Sequence, residues 1–167
     1  MSAVAEADLV AVGRQLGRPA RDVVRVAARC VCGAPTVVAT RPRLADGTPF
    51  PTFYYLTHPA ATAAASRLEA AGRMAEYQAL LADDVADAYR RAHETYISDR
   101  EAHGVVPEIA GISAGGMPDR VKCLHALVGH ALAAGPGVNP IGDLALSELA
   151  AAERGWSPAV CVCEVTS

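Results

Sequence analysis

The order of strand and helix patterns along this chain of 167 residues predicts an α+β fold in one domain, residues 1–167. Short β-branched and aromatic segments lie in the first third of the chain, and apolar residues at helical spacing follow from about residue 60 to 152. One more strand is predicted at the end, over 156–166. We expect a small antiparallel or mixed sheet, formed by the N-terminal strands and this C-terminal strand. The sheet would pack against a helical bundle that contains one long helix.

The N-terminal third alternates between strand patterns and turn residues. A short helix over 4–16 ends before Gly17, and the string Thr-Phe-Tyr-Tyr-Leu-Thr (52–57) is the clearest strand because it is β-branched and aromatic. Two further strands, over 21–30 and 36–40, flank the turn Cys-Val-Cys-Gly (30–33).

Helical patterns dominate the rest of the chain. They predict an Ala-rich helix over 60–71, one long helix from Arg73 to about His103, and a helix that ends near Ala152. Pro118 suits the first position of a helix over 118–134. The acidic face of the long helix is typical of a solvated surface.

Composition limits the function classes. The chain has five cysteines, acids in place of the positive charge that begins a signal peptide, and no apolar run of 18 residues. We therefore expect a cytoplasmic protein without membrane insertion, in which reduced cysteines serve as metal ligands, nucleophiles or core residues.

Positive charge is concentrated near the N-terminus, although the net charge of the chain is −3. Residues 9–45 hold seven arginines, and arginine suits phosphate and carboxylate groups. An anionic small molecule or a protein partner is one interpretation, and pairing of these arginines with the acidic helix is the other. Nucleic acid is not expected because no aromatic residues alternate with the basic ones. The candidate anion-binding residues are Arg29, Arg41, Arg43, Arg120 and Lys122.

Cys123, His125 and His130 take fixed positions around the axis if residues 118–134 form one regular helix. On a regular helix over 118–134, Cys123 and His130 share a face but lie about 10 Å apart, and His125 lies on the opposite flank of the apolar arc. A regular helix therefore keeps Cys123 and His125 from binding one metal ion, and other segments must complete any site.

Cys30, Cys32 and His58 are the candidates to complete it. Zinc binds four Cys or His ligands in a closed structural site, and buried or reactive thiols are the alternatives. Cys161 and Cys163 are predicted to pack on one face of the last strand.

Three strings resemble one bacterial family: Arg-Cys-Val-Cys-Gly-Ala-Pro leading to Leu-Thr-His-Pro (29–59), Gly-Gly-Met-Pro through Lys-Cys-Leu-His to His130 (115–130), and Gly-Val-Asn-Pro-Ile-Gly-Asp (137–143). Over about residues 14–150 the chain is similar to the uncharacterised family called domain of unknown function 501. The resemblance implies a cytosolic protein, with a cell-division or envelope partner suggested by gene context. It also implies Leu-Thr-Cys-Pro where this chain has His58, an exchange that a soft metal ligand tolerates.

These observations predict a zinc-type site with Cys30, His58 and Cys123 as ligands and His125 or His130 as the fourth. A closed site would be structural, whereas three ligands and a water would be hydrolytic on an anionic or phosphorylated substrate. A non-catalytic binding module that uses the Arg-rich region is the first alternative. A thiol enzyme with Cys123 as nucleophile and His125 or His130 as base is the second.

Overall fold

The computed structural model describes residues 3–160 and Cys163. Its three strands form one antiparallel sheet in the order β1-β2-β3, so the predicted α+β class is confirmed. The strands are β1 Val23–Arg29, β2 Pro35–Thr40 and β3 Tyr54–Leu56. The helices are α1 Glu6–Leu16, α2 Pro59–Ala70, α3 Arg73–Ala79, α4 Asp83–Glu101, α5 Leu124–Ala134 and α6 Pro140–Ala151, and a short 3-10 turn spans Pro107–Ile109.

Helix α5 is the centre of the structure, and it packs against β3, α2 and α6. Two glycines allow this packing. A Cβ at Gly129 would lie 3.3 Å from the Tyr54 carbonyl oxygen on β3, and a Cβ at Gly142 would lie 2.3 Å from the Leu127 carbonyl oxygen. The backbones of neighbouring elements therefore approach α5 closely, which fixes the N-terminus of α5 relative to α2 and the sheet.

None of the helices in the described part of the chain is both long enough and apolar enough to cross a membrane.

The predicted C-terminal strand is not present where the structure describes it. Residues 156–157 are irregular and 158–160 form a turn and bend, and of the rest of the predicted segment only Cys163 is described. Trp156 is buried and donates its backbone N–H to the Leu149 carbonyl oxygen. Trp156, which contributed to the apolar pattern of the predicted strand, instead packs in the core and anchors the end of α6.

The predicted long helix is interrupted. The chain leaves the helix at Leu80, the C-cap of α3, and Ala82 is extended before α4 begins. Asp83 and Asp84 occupy the first turn of α4, where carboxylates stabilise the N-terminal end of the helix dipole. The apolar spacing continues across the break, so periodicity alone did not reveal it.

The predicted start of the helix at Pro118 is also wrong. Residues 118–123 are not helical, and α5 begins at Leu124 with Cys123 in an extended conformation as its N-cap. The Gln78 side chain holds this segment from α3: its Nε2 donates to the Asp119 carbonyl oxygen, and its Oε1 accepts from the Val121 N–H. These tertiary hydrogen bonds satisfy backbone groups that a helix would otherwise have paired.

Candidate functional site

The Cys-Val-Cys-Gly string forms the turn between β1 and β2. The Cys30 N–H donates to the Ala34 carbonyl oxygen at 2.8 Å, and the Gly33 N–H donates to the Cys30 carbonyl oxygen at 2.8 Å. Gly33 has a φ of 92°, a conformation that a residue without a Cβ adopts without strain. The turn places Cys30 in the interior and leaves Cys32 exposed.

The C-terminal segment brings Cys163 to this turn. The Val31 N–H donates to the Pro158 carbonyl oxygen at 3.0 Å, which fixes the segment beside the turn. The Sγ atoms of Cys32 and Cys163 are 3.5 Å apart, although the residues are separated by 131 positions in sequence. A disulfide requires about 2.05 Å, so this contact is not a disulfide bond. Cys163 was predicted to pack on a strand, but its sulfur lies beside Cys32 instead. Cys161 lies outside the described residues.

His58 lies beside the sulfur atom of Cys163. It is the N-cap of α2, is 3% exposed, and its Nε2 lies 3.1 Å from Cys163 Sγ. Burial lowers the pKa of His58, which keeps the imidazole neutral near pH 7 and able to bind a metal ion. The ring of Trp156 packs at 5.4 Å from the His58 ring, so the anchor of the C-terminal segment also supports this histidine.

We call Cys30, Cys32, Cys163 and His58 the Cys3His cluster. The three Sγ atoms lie within 4.8 Å of one another, and the cysteines could hold a metal ion. His58 adjoins this group through Cys163 and is not itself one of the residues whose ligand atoms all lie within 4.8 Å of one another. In a tetrahedral zinc site with bonds of about 2.3 Å to sulfur and 2.0 Å to nitrogen, two sulfurs are about 3.8 Å apart and sulfur and nitrogen about 3.5 Å. The observed 3.5 Å and 3.1 Å lie slightly below these separations.

Cys123 belongs to a different cluster, which corrects its predicted grouping with Cys30 and His58. Ligand atoms of Cys123, His125 and Glu69 lie within 4.8 Å of one another, and we call these three residues the Cys123 cluster. The geometric argument that separated Cys123 from His125 assumed a regular helix, whereas Cys123 is an extended N-cap and its sulfur lies within 4.8 Å of a ring nitrogen of His125. His58 and Glu69 lie near opposite ends of α2, about 16 Å apart along the helix axis.

Hydrogen bonds define the charges of the Cys123 cluster. Glu69 Oε1 lies 2.9 Å from His125 Nδ1 and also accepts from the Leu124 N–H at 2.8 Å. The pKa of His125 is raised to about 9, first by a hydrogen bond with Cys123 and then by the one with Glu69, although burial lowers it. The pKa of Cys123 is lowered, first by its hydrogen bond with His125 and then by the Ala126 N–H. The arrangement favours a thiolate beside an imidazolium.

His130, the other predicted fourth ligand or base, is a core residue. It is fully buried, its Nδ1 lies 3.1 Å from Asn139 Nδ2, and its ring stacks on Tyr54 and meets Tyr96 edge to face. Burial lowers its pKa to about 4. His130 is outside both clusters of the described residues.

Two of the predicted anion-binding residues pair with acidic side chains of the chain itself. Arg29 pairs with Asp8 at 2.7 Å and Arg43 with Glu108 at 2.7 Å, so pairing within the chain accounts for two of them, although neither acid lies on the acidic helix. Arg41, Arg120 and Lys122 are exposed. A cavity of about 350 Å³ near the N-terminus is lined by Arg18 and Arg21 instead, and by two acids, Asp22 and Asp46, that offset their charge. The binding-module hypothesis stays a prediction.

Sequence reasoning missed Glu69 and undervalued Cys163. The Cys-Val-Cys repeat at 161–163 was the available signal for Cys163, because paired cysteines at two distant points often converge on one metal. No local signal identified Glu69, which is 54 positions before Cys123 in sequence. Only the packing of α2 against α5 places its carboxylate on His125.

Residues 26–147 match the model of a family described as "Protein of unknown function (DUF501)". No curated protein and no solved structure shows a significant match to the chain. The matched region includes the whole Cys123 cluster and three members of the Cys3His cluster, while Cys163 follows it. The three strings of residues found in the sequence had predicted this same family. Because the match covers well over half of the chain, this protein belongs to the DUF501 family.

Proposed function

We propose that this protein binds a zinc-type metal ion through Cys30, Cys32, Cys163 and His58, and that the metal is structural. The observation that carries the proposal is the convergence of three sulfur atoms within 4.8 Å from two segments 131 positions apart. Thiolate and imidazole ligands together suit zinc, and a closed set of four is typical of structural sites.

His58 supplies the fourth ligand through Nε2. Metal binding there takes the lone pair of Nε2 and places the ring proton on Nδ1. The Nδ1 atom is now 3.5 Å from the Ala61 N–H, and a hydrogen bond of that length contributes little. Metal binding would therefore break this N-cap contact and leave a buried Nδ1–H facing the Ala61 N–H, a cost that the bond to the metal has to exceed.

A structural role follows from the position of the cluster. Cys30 and His58 are buried, so two of the four ligands would hold the metal inside the fold. The metal would fasten the C-terminal segment to the β1–β2 turn and to the N-terminus of α2. This arrangement supports the structural form of the predicted zinc site over the hydrolytic form.

Elemental analysis of the purified protein tests the proposal. We expect about one zinc ion per chain, full occupancy in Cys123→Ser, and loss of metal in Cys32→Ser. At position 58, alanine should weaken binding, and His58→Cys should retain it because a thiolate can replace the imidazole. Less than stoichiometric metal in the wild type, or full occupancy in Cys32→Ser, would contradict the proposal.

Cobalt substitution identifies the ligands independently of stability. We expect the absorption bands of a tetrahedral thiolate complex of Co²⁺ in the wild type, with a shifted ligand-field band in His58→Cys. An octahedral spectrum would show that water and oxygen ligands surround the ion and would contradict a closed Cys3His site.

A further inference from the structure

The Cys123 cluster is separate from the proposed metal centre and has its own opening to solvent. Cys123 and His125 line a cleft of about 280 Å³ between α5, α2 and β3. Both residues are half-buried, so the thiol is accessible to a small molecule but shielded from bulk solvent. A second observation is independent of the cluster: the rest of the lining is uncharged, and it includes Thr52, Tyr55 and Thr62.

The hydrogen bonds of His125 determine its protonation. Nδ1 faces the Glu69 carboxylate at 2.9 Å, and Nε2 lies 3.2 Å from the Thr62 carbonyl oxygen and 3.1 Å from Ser66 Oγ. A carboxylate only accepts hydrogen bonds, so Nδ1 carries a proton that Glu69 holds, whereas the Ser66 hydroxyl can accept from Nε2 or donate to it. Nε2 can therefore release and regain a proton while Nδ1–H stays bound to Glu69.

The protonation of His125 distinguishes a thiol site from a metal site. A metal ligand needs a free lone pair on one ring nitrogen, whereas Glu69 holds the proton on Nδ1 and the pKa of His125, raised to about 9, keeps Nε2 protonated near pH 7. A fixed imidazolium instead stabilises a neighbouring thiolate, as does the N-terminus of a helix. Cys123 has both neighbours, since it is the N-cap of α5 and lies beside His125.

We propose that Cys123 is a nucleophile that accepts the acyl group of a small uncharged ester or thioester bound in this cleft, with His125 as the proton donor and acceptor. The thiolate attacks the acyl carbon, a C–S bond forms, and the carbonyl π electrons move to oxygen. When this intermediate collapses, the bond to the leaving group breaks and the imidazolium of His125 gives the leaving group its proton. Water then attacks the thioester, neutral His125 takes a proton from it, and the carboxylic acid leaves as the thiolate is restored.

Glu69 is a positioning residue in this scheme. It joins α2 to α5 by accepting from His125 and from the Leu124 N–H with the same oxygen, Oε1. It thereby fixes the ring orientation and stabilises the imidazolium, as the third member of a nucleophile–base–acid arrangement does. The charged or titratable groups near the thiol and the ring, from the elements packed around them, are Glu69 on α2, Tyr54 and Tyr55 on β3, and Tyr96 on α4.

The class of substrate follows from the size and lining of the cleft. A volume of about 280 Å³ admits only a small molecule, and no cation other than His125 lines it to bind a phosphate or a carboxylate. The larger cavity near the N-terminus contains arginines, but neither cysteine nor histidine lines it. The acyl group and the leaving group should therefore both be small and uncharged.

The test uses p-nitrophenyl acetate with the full-length, metal-loaded protein. We expect a burst of one p-nitrophenolate per chain, followed by slower turnover, and an acetyl group on the Cys123 peptide by mass spectrometry. Cys123→Ser should lose the burst, and His125→Gln should reduce the turnover by about 100-fold. Glu94→Gln is the control, because it changes an exposed carboxylate on α4 away from the cleft. Acetylation at another residue, or turnover equal to that of Cys123→Ser, would overturn the proposal.

Two measurements do not depend on variants of the thiol or the ring. In the wild type, the pH profile of Cys123 alkylation by iodoacetamide should have its midpoint below the ordinary thiol pKa of about 8.5. NMR titration should give His125 a pKa of about 9 in the wild type, and in Glu69→Gln the pKa should move toward the ordinary value of about 6.5. A midpoint at or above 8.5, or a low midpoint without acyl transfer, would each overturn the proposal.

Discussion

Removing one exposed ligand should lower the thermal stability of the metal-loaded protein by far more than that of the metal-free protein. Cys32 is the position for this test because it is exposed, so Cys32→Ser creates no cavity and disturbs little packing. Cys30 is 4% exposed, and its replacement would combine the loss of a ligand with a change in the core. The chelated wild type and chelated Cys32→Ser serve as the matched pair of controls.

The magnitude follows from the length of chain that the metal closes. Cys32 and Cys163 are 131 positions apart, and on the chain-entropy model a cross-link over that length stabilises the folded state by about 5 kcal/mol. An unfolding entropy of about 2.1 cal/mol/K per residue over 167 residues converts this free energy to a shift of about 14 °C in Tm. The figure is an upper bound, because the C-terminal segment can detach before the core unfolds.

Scanning calorimetry of the four samples is the assay. We expect the zinc-loaded wild type to melt up to about 14 °C above the other three, and those three to melt within about 2 °C of one another. Equal melting temperatures for loaded and chelated wild type would refute the cross-linking argument. A lower Tm for chelated Cys32→Ser than for chelated wild type would show that the cysteine stabilises the fold by another contact.

Three further predictions concern the core, and urea unfolding measures each. Burial lowers the pKa of His130 from about 6.5 to about 4, so the unfolded chain binds a proton there that the folded chain excludes. The free energy of unfolding should therefore fall by about 3 kcal/mol between pH 7 and pH 4, and His130→Gln should lack this contribution to the pH dependence. Gly142→Ala should destabilise the protein by about 1–3 kcal/mol because the new Cβ would lie 2.3 Å from a backbone oxygen of α5. Gly13→Ala is the control, because its Cβ would make only ordinary contacts, and it should be neutral or stabilising by up to about 1 kcal/mol. The guanidinium of Arg100 is buried and donates to three backbone carbonyls, so Arg100→Met should cost at least about 3 kcal/mol, and an effect below 1 kcal/mol would mean that water replaces those hydrogen bonds.

The comparison of the two clusters shows what local pattern can and cannot predict. The strands around the Cys-Val-Cys-Gly turn, and the helix that follows His58, were predicted because turn residues and apolar periodicity are local properties. The start of α5 was wrong because Gln78, from another helix, holds residues 119–121 out of the helix. Because the helix was predicted to begin at Pro118, Cys123 and His125 were placed on different faces of it. Cys123 was then grouped with Cys30 and His58, whereas in the structure it lies beside His125.

Sequence by itself determined the α+β class, most of the helices and strands, the family, and Cys30 and His58 as candidate ligands. These features depend on short-range periodicity, on turn chemistry or on strings of residues that can be read directly. The tertiary structure decided which thiols meet, because the partners of Cys32 and of His125 are 131 and 56 positions away. It separated one predicted site into a cluster with three cysteines and a histidine, and a second cluster in which Glu69, invisible to sequence reasoning, holds the imidazolium beside Cys123. The physical reason is that a side chain's chemistry is set by its neighbours in space, and α2 provides those neighbours to both clusters from its two ends.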